Sequence, residues 1–131
     1  MRVLLDTHTL LWILFNPTNI DEKVIDIVTN YKNDICVSVV SLWEIEIKHL
    51  KRPDTMPYSA KEIKSAIEKA GFRLFPIRSE HIDKLSFIIE QKIHQDPFDH
   101  LLLSTSLYEQ CALLTHDKEV RNYRGVMIID Y

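Results

Sequence analysis

"RVLLD", residues 2–6, runs without a break into "THTLLWILF", residues 7–15. A continuous apolar run that ends on a carboxylate has the form of a parallel strand buried on both faces. The second piece reads as a helix that breaks near Asn16-Pro17. The chain repeats this alternation to its end. "DICVSVVS" (34–41) is a second β run, rich in branched residues, and it passes into the helical "SLWEIEIKHLKR". "FRLFPI" (72–77), "CALLTHD" (111–117) and "GVMIID" (125–130) supply three more. Between them lie "DEKVIDIVTNY" (21–31), capped by Asp21, and "SAKEIKSAIEKAG" (59–71), stopped by Gly71. "SEHIDKLSFIIEQKI" (79–93) opens with Ser79 as its cap, and "QDPFDHLLLSTS" (95–106) completes the helical set. Strands alternating with helices predict an α/β fold, a single domain over residues 1–131 with a parallel sheet of about five strands flanked by helices.

Composition agrees with one ordinary globular domain. Of 131 residues, 46% are apolar and 27% charged, and two glycines with five prolines leave no flexible linker. The net charge of -3 gives no general attraction toward nucleic acid, so a phosphate-bearing substrate needs a local basic patch or a bound cation. Cys36 and Cys111 each lie in apolar sequence and read as buried free thiols. The apolar N-terminal run carries Asp6 and His8, shows no cleavage site and is too short to span a bilayer. The expectation is a cytoplasmic protein without a membrane segment.

In open α/β sheets the ligand lies beyond the carboxyl ends of the strands. Asp6 ends the first strand, and Asp117 lies two residues beyond Thr115, where "ALLT" finishes. Glu44 falls in the first turn of the helix after the second strand, and Asp99 in the first turn of the helix before the fourth. Four carboxylates from distant parts of the chain are therefore expected to meet at one sheet edge. Helix capping explains some of them separately. Asp96-Pro97-Phe98-Asp99 is helix-start grammar with Asp96 as the cap, and "SLWE" (41–44) has the form of a capping box with Ser41 as cap. Asp6 resists that account, because a charge beside "VLL" needs hydrogen bonds or a cation. Converging carboxylates repel unless a divalent cation compensates them. Hard oxygen donors, with no thiolate or paired-histidine motif, favour Mg²⁺ or Mn²⁺, and such a site suits phosphodiester hydrolysis.

With "LLDTHTLLW", "SVVSLWEIEIKH", "DPFDHLLLSTS" and "LLTHDKEV" in this order and spacing, the chain resembles the PIN-domain nucleases, and within them the VapC-like toxins. The resemblance covers nearly the whole chain. It implies a Rossmann-like sheet, Mg²⁺- or Mn²⁺-dependent cleavage of single-stranded RNA leaving a 5′-phosphate, a homodimer, and inhibition by a cognate antitoxin. It also implies that the family's acidic positions fall on Asp6, Glu44, Asp99 and Asp117. Asp6 and Asp99 are then the first metal ligands. Glu44 and Asp117 complete the shell, hold a water or take a second ion, and Asp96 supports the helix start. Thr7 and Thr115 stand as supporting residues or as ordinary strand-end hydroxyls. One departure stands out: the family usually has arginine after the second Asp of its DPFD motif, and here His100 stands there. An arginine at that place would pair with a carboxylate or steer RNA, which a histidine does only weakly.

Lys48 follows Glu44 by four residues, which predicts a helix ion pair before a phosphate contact. Lys48, Lys51 and Arg52 read either as a stripe that touches RNA or as a solvated face. Trp12 and Trp43 sit in apolar helical patterns and are expected in the core; exposed members of "LLWILF" would instead serve an interface. Two other functions compete with an antitoxin-controlled toxin: a PIN nuclease of RNA maturation or turnover, and a module that binds RNA or protein without cutting. A haloacid-dehalogenase-type phosphatase is disfavoured, because its second Asp, two residues after the first, is replaced by His8.

Overall fold

A computed structural model describes all residues, Met1–Tyr131. Five strands form one wholly parallel sheet: β1 (Arg2–Leu5), β2 (Asp34–Ser38), β3 (Arg73–Phe75), β4 (Ala112–Thr115) and β5 (Met127–Asp130). Their spatial order is β3-β2-β1-β4-β5. The chain therefore winds outward from β1 in one direction, then returns to place β4 on its other side. That reversal sets the switch point between the carboxyl ends of β1 and β4, where open sheets of this kind bind ligands.

Strand residues alternate between two cores, as a pleated strand requires. Leu4, Cys36 and Leu113 face one layer, with Leu101, Leu102 and Leu103 packed on them. Val3, Leu5, Ile35, Val37 and Leu114 face the other, against Leu10, Val24, Ile45, Ile63 and Ile67. The second layer is built from α1 (Thr7–Phe15), α2 (Glu22–Thr29), α3 (Val39–Lys51) and α4 (Ala60–Ala70), the first from α5 (Ser79–Asp83), α6 (Leu85–Ile89) and α7 (Pro97–Glu109). In α7 every residue from His100 to Ser106 is buried, so it is covered all round rather than amphipathic. Ser104 and Thr105 turn their hydroxyls back to the Leu101 carbonyl at 3.1 and 2.7 Å, which lets small polar residues sit inside.

Most element boundaries follow the sequence. Asp21 caps α2 by accepting from the Lys23 amide, Ser59 and Glu62 form a capping box on α4, and Gly71 ends it at φ 77°. Both cysteines are free and buried. Three expectations need correction. The second β run stops at Ser38, whose hydroxyl accepts from the Val40 amide and starts α3 three residues early. The long helix expected over 79–93 is two short pieces, and Ser79 does not cap it. The Arg78 amide donates instead to His81 Nδ1 at 3.1 Å. Trp43 is 53% exposed, edge-on to Phe98, rather than in the core. No helix is long and apolar enough to cross a membrane.

Candidate metal centre

Asp6 sits at the switch point because β1 ends there and α1 begins. It is the N-cap of α1: one carboxylate oxygen accepts from the Thr9 amide at 2.8 Å, and the other accepts from the Thr115 hydroxyl at the end of β4. The Asp6 amide donates to the Leu114 carbonyl at 3.1 Å, which ties the two strand ends together. Thr115 is held in turn by the Asp117 amide, which donates to its hydroxyl at 3.0 Å. Asp6 is only 7% exposed, and these donors are what let a charge lie there. Thr7 donates to the Ser41 hydroxyl at 2.9 Å, bracing α1 against α3.

Ser41 is therefore buried inside α3 and caps nothing, and Glu44 lies in the second turn, out of reach of a capping box. Freed from that task, Glu44 is 5% exposed and pairs with Lys48 Nζ at 2.6 Å. The expected helix ion pair is formed. Asp96 is the cap of α7, accepting from the Phe98 and Asp99 amides at 2.9 and 3.3 Å, with Pro97 at the first helical position. Asp99 is left with its carboxylate turned into the cleft. Burial, then the neighbouring charges of Asp96 and Asp6, push its carboxyl up to about 6, against the lowering effect of a hydrogen bond from His94.

His94 was not legible as a site residue, yet it belongs to this one. Its Nε2 lies 3.0 Å from an Asp99 oxygen and its Nδ1 2.7 Å from the Tyr123 hydroxyl. His100 Nε2 holds the His94 carbonyl at 2.8 Å. With the Tyr123 hydroxyl donating to Nδ1, His94 donates from Nε2 to Asp99, and the network closes. His100 thus points inward, 8% exposed, and fixes the segment that carries His94. It takes neither role envisaged for an arginine at that place. The only sequence cue for His94 was its position two residues ahead of the DPFD motif; Tyr123 gave none.

Asp6, Thr7, His8, Glu44, Lys48, Asp96, Asp99 and Asp117 line a single cleft of about 110 Å³ with no apolar wall. Donor atoms of His94, Asp99 and Asp117 lie within 4.8 Å of one another. Five carboxylates face one lysine, and the position of Asp99 against Asp96 and Asp6 leaves negative charge uncompensated. The donor set of hard oxygens fits Mg²⁺ or Mn²⁺, with His94 orienting Asp99 as a metal-site histidine partner does. Removing the hydroxyl in Tyr123→Phe should weaken Mn²⁺ binding about 10–100-fold by releasing His94. Calorimetric titration checks this, and unchanged affinity would show that His94 does not depend on Tyr123.

Beside the acidic cleft, and sharing Thr7, His8 and Lys48 with it, lies a second cleft of about 530 Å³ walled also by Lys51 and Arg52. Lys48, Lys51 and Arg52 thus line one cleft beside the carboxylates.

A family model described as "PIN domain" matches residues 3–126. No curated protein sequence matches the chain. Among solved structures, DNA-bound VapBC from Salmonella typhimurium is similar with a TM-score of 0.74 and 14% identity, over 99% of this chain and 98% of that one. VapBC2 from Rickettsia felis, bound to a DNA fragment from its promoter, gives a TM-score of 0.73 and 14% identity over 99% and 98% of the two chains. VapBC-5 from Mycobacterium tuberculosis, from a toxin–antitoxin family, gives 0.62 and 14% over the same shares. At these identities the likeness is one of fold.

Proposed function

The chain belongs to the PIN-domain family, and from that premise we propose that it is a Mg²⁺- or Mn²⁺-dependent endoribonuclease of single-stranded RNA, the toxin of a toxin–antitoxin pair. The observation that carries the reading is the convergence of five carboxylates from four separate segments in one cleft without an apolar wall. Caps alone do not require that meeting. The fold-level likeness to VapBC complexes supports an antitoxin partner; a homodimer in the cytoplasm is part of the same proposal.

When bound, the cation polarises phosphoryl oxygens and makes water a better nucleophile. Asp99, Asp6 and Asp117 would hold it, and His94 keeps the Asp99 carboxylate aimed. Glu44, which lines the same cleft, would take a proton from the attacking water while Lys48 balances its charge. Water oxygen bonds to phosphorus as the bond to the 3′ oxygen breaks in line, and that oxygen takes its proton from solvent. The products are a 5′-phosphate and a 3′-hydroxyl. Lys51 and Arg52 hold the flanking phosphates.

The test is incubation of a mixed RNA pool with the purified protein in Mg²⁺, in Mn²⁺ and in EDTA. Cutting in either metal and none in EDTA is expected. Binding without cutting under both metals would hand the site to the non-cleaving reading. With the same RNA in EDTA, where binding is read without cutting, Lys51→Ala and Arg52→Ala should each lower the slope of log affinity against log salt by about 0.7, the value for one phosphate contact on a single strand. An unchanged slope would return both residues to a solvated face.

A further inference from the structure

Near the acidic cleft, and reached through His116 next to Asp117, lies a larger cleft of about 560 Å³, lined by Trp12, His116 and Tyr131 with Asn16, Asn19 and Asp21 among its polar walls. Its size falls within the range of small-ligand pockets. Three rings form its back. Trp12 meets His116 edge-on at 5.4 Å and Tyr131 at 6.3 Å, and His116 lies 5.1 Å from Tyr131. Trp12 was expected in the core, but it is half-buried and turned to this opening.

The aromatic cleft is wired to the metal centre. The Tyr131 hydroxyl and the Thr9 hydroxyl lie 2.7 Å apart, and the Thr9 amide is the donor to Asp6. His116 precedes Asp117 in the chain, and His8, which lines the acidic cleft, is 6.5 Å from Trp12. The carboxylates thus have a basic cleft beside them, sharing Thr7, His8 and Lys48, and an aromatic cleft that begins one residue from Asp117, at His116. Charge and π faces side by side match the repeating chemistry of a single-stranded polynucleotide, with charge on the backbone and π faces on the bases.

Resting on the nuclease reading, we propose that this cleft is a nucleobase subsite, in which one base beside the scissile phosphate leaves the stack and packs against Trp12 where it lines the cleft, with His116 and Tyr131 backing that ring. The amides of Asn16 and Asn19 and the Asp21 carboxylate then face the base edge, a set that can both donate and accept. Stacking holds the strand, and so fixes which phosphate lies over the carboxylates. Trp12 is a positioning residue here, and it touches no reacting atom.

The experiment uses the full chain carrying Asp99→Asn, so that bound RNA is not cut, and single-stranded RNA dodecamers. One abasic ribose is moved along the dodecamer, and affinity is read by fluorescence anisotropy. At a single position, loss of the base should weaken binding about tenfold, as expected for one lost stack. Adding Trp12→Ala should weaken intact RNA by the same factor and remove the sensitivity at that position. Trp12→Phe, which keeps a ring, should restore most of the affinity, and matching melting curves would exclude a folding defect. In the otherwise wild-type enzyme, Trp12→Ala should raise KM and spread the cleavage positions with little change in kcat. If Trp12→Ala binds intact RNA as its parent does, or stays equally sensitive to the abasic position, the subsite is wrong while the nuclease reading stands. If the wild-type chain neither binds nor cuts RNA, the nuclease reading fails and the subsite with it.

Discussion

Asp99→Asn is expected to abolish RNA cleavage and, in EDTA at pH 7, to raise the melting temperature. The activity loss should exceed about a hundredfold, the upper end for groups one step removed from a metal. The gain in stability follows from the same environment. Burial comes first, followed by the charges of Asp96 and Asp6, in pushing the Asp99 carboxyl from 3.8 up to about 6. Between these values the folded chain binds more protons than the unfolded one, so stability falls as pH rises through the window. Above pH about 6 the destabilisation is complete, and below about 4 it is gone. Asparagine keeps an oxygen for the His94 hydrogen bond and carries no charge. Its advantage should therefore appear at pH 7, at about 4 °C for each kcal/mol, and vanish at pH 4. Saturating Mg²⁺ should reverse the order at pH 7, because only the wild type gains from binding. An asparagine variant that melts lower than wild type in EDTA at pH 7 would mean that Asp99 serves chiefly to build the start of α7.

The opposite pulls on Asp99 show why some of the site was legible in the sequence and some was not. A carboxylate at the end of an apolar strand is visible in "RVLLD", because burial of the strand and solvation of the charge conflict locally. Asp96 was legible for the opposite reason: Asp-Pro at a helix start has a local explanation that the structure bears out. The fold was readable on the same basis, since alternating strand and helix patterns leave few chain topologies. Ser38 against Ser41 was not. Both precede helical sequence, and the choice is made by tertiary contact, because Thr7 of another helix claims Ser41. His94 and Tyr123 lie 29 residues apart, and nothing local announces their meeting. His100 was read as a departure from the family pattern, but its inward turn depends on the His94 carbonyl offered by a neighbouring loop. Groups that satisfy local rules can be read from the chain, whereas groups that satisfy one another across the fold cannot.

Asp6 has two duties, and a pair of substitutions separates them. As the cap of α1 it needs only an acceptor for the Thr9 amide, which asparagine supplies as well as aspartate. As a metal ligand it needs the charge. Asp6→Asn should therefore fold like wild type and lose cleavage by more than about a hundredfold. Asp6→Ala should lose cleavage to the same extent and also about 0.5–2 kcal/mol of stability, because the Thr9 amide is left without its partner. The Thr115 hydroxyl, which donates to Asp6 in the native chain, can rotate to accept from an asparagine amide but finds nothing in alanine. Denaturant unfolding in EDTA and cleavage rates in Mn²⁺ read the two duties independently. If Asp6→Asn cuts RNA at the wild-type rate, Asp6 is a cap and no more, and the metal site contracts to the Asp99 and Asp117 carboxylates, with His94 holding Asp99 in place. If both variants lose activity while only alanine loses stability, one residue both starts the helix and holds the ion. The catalytic centre is then built from the same junction of β1 and α1 that decides the fold.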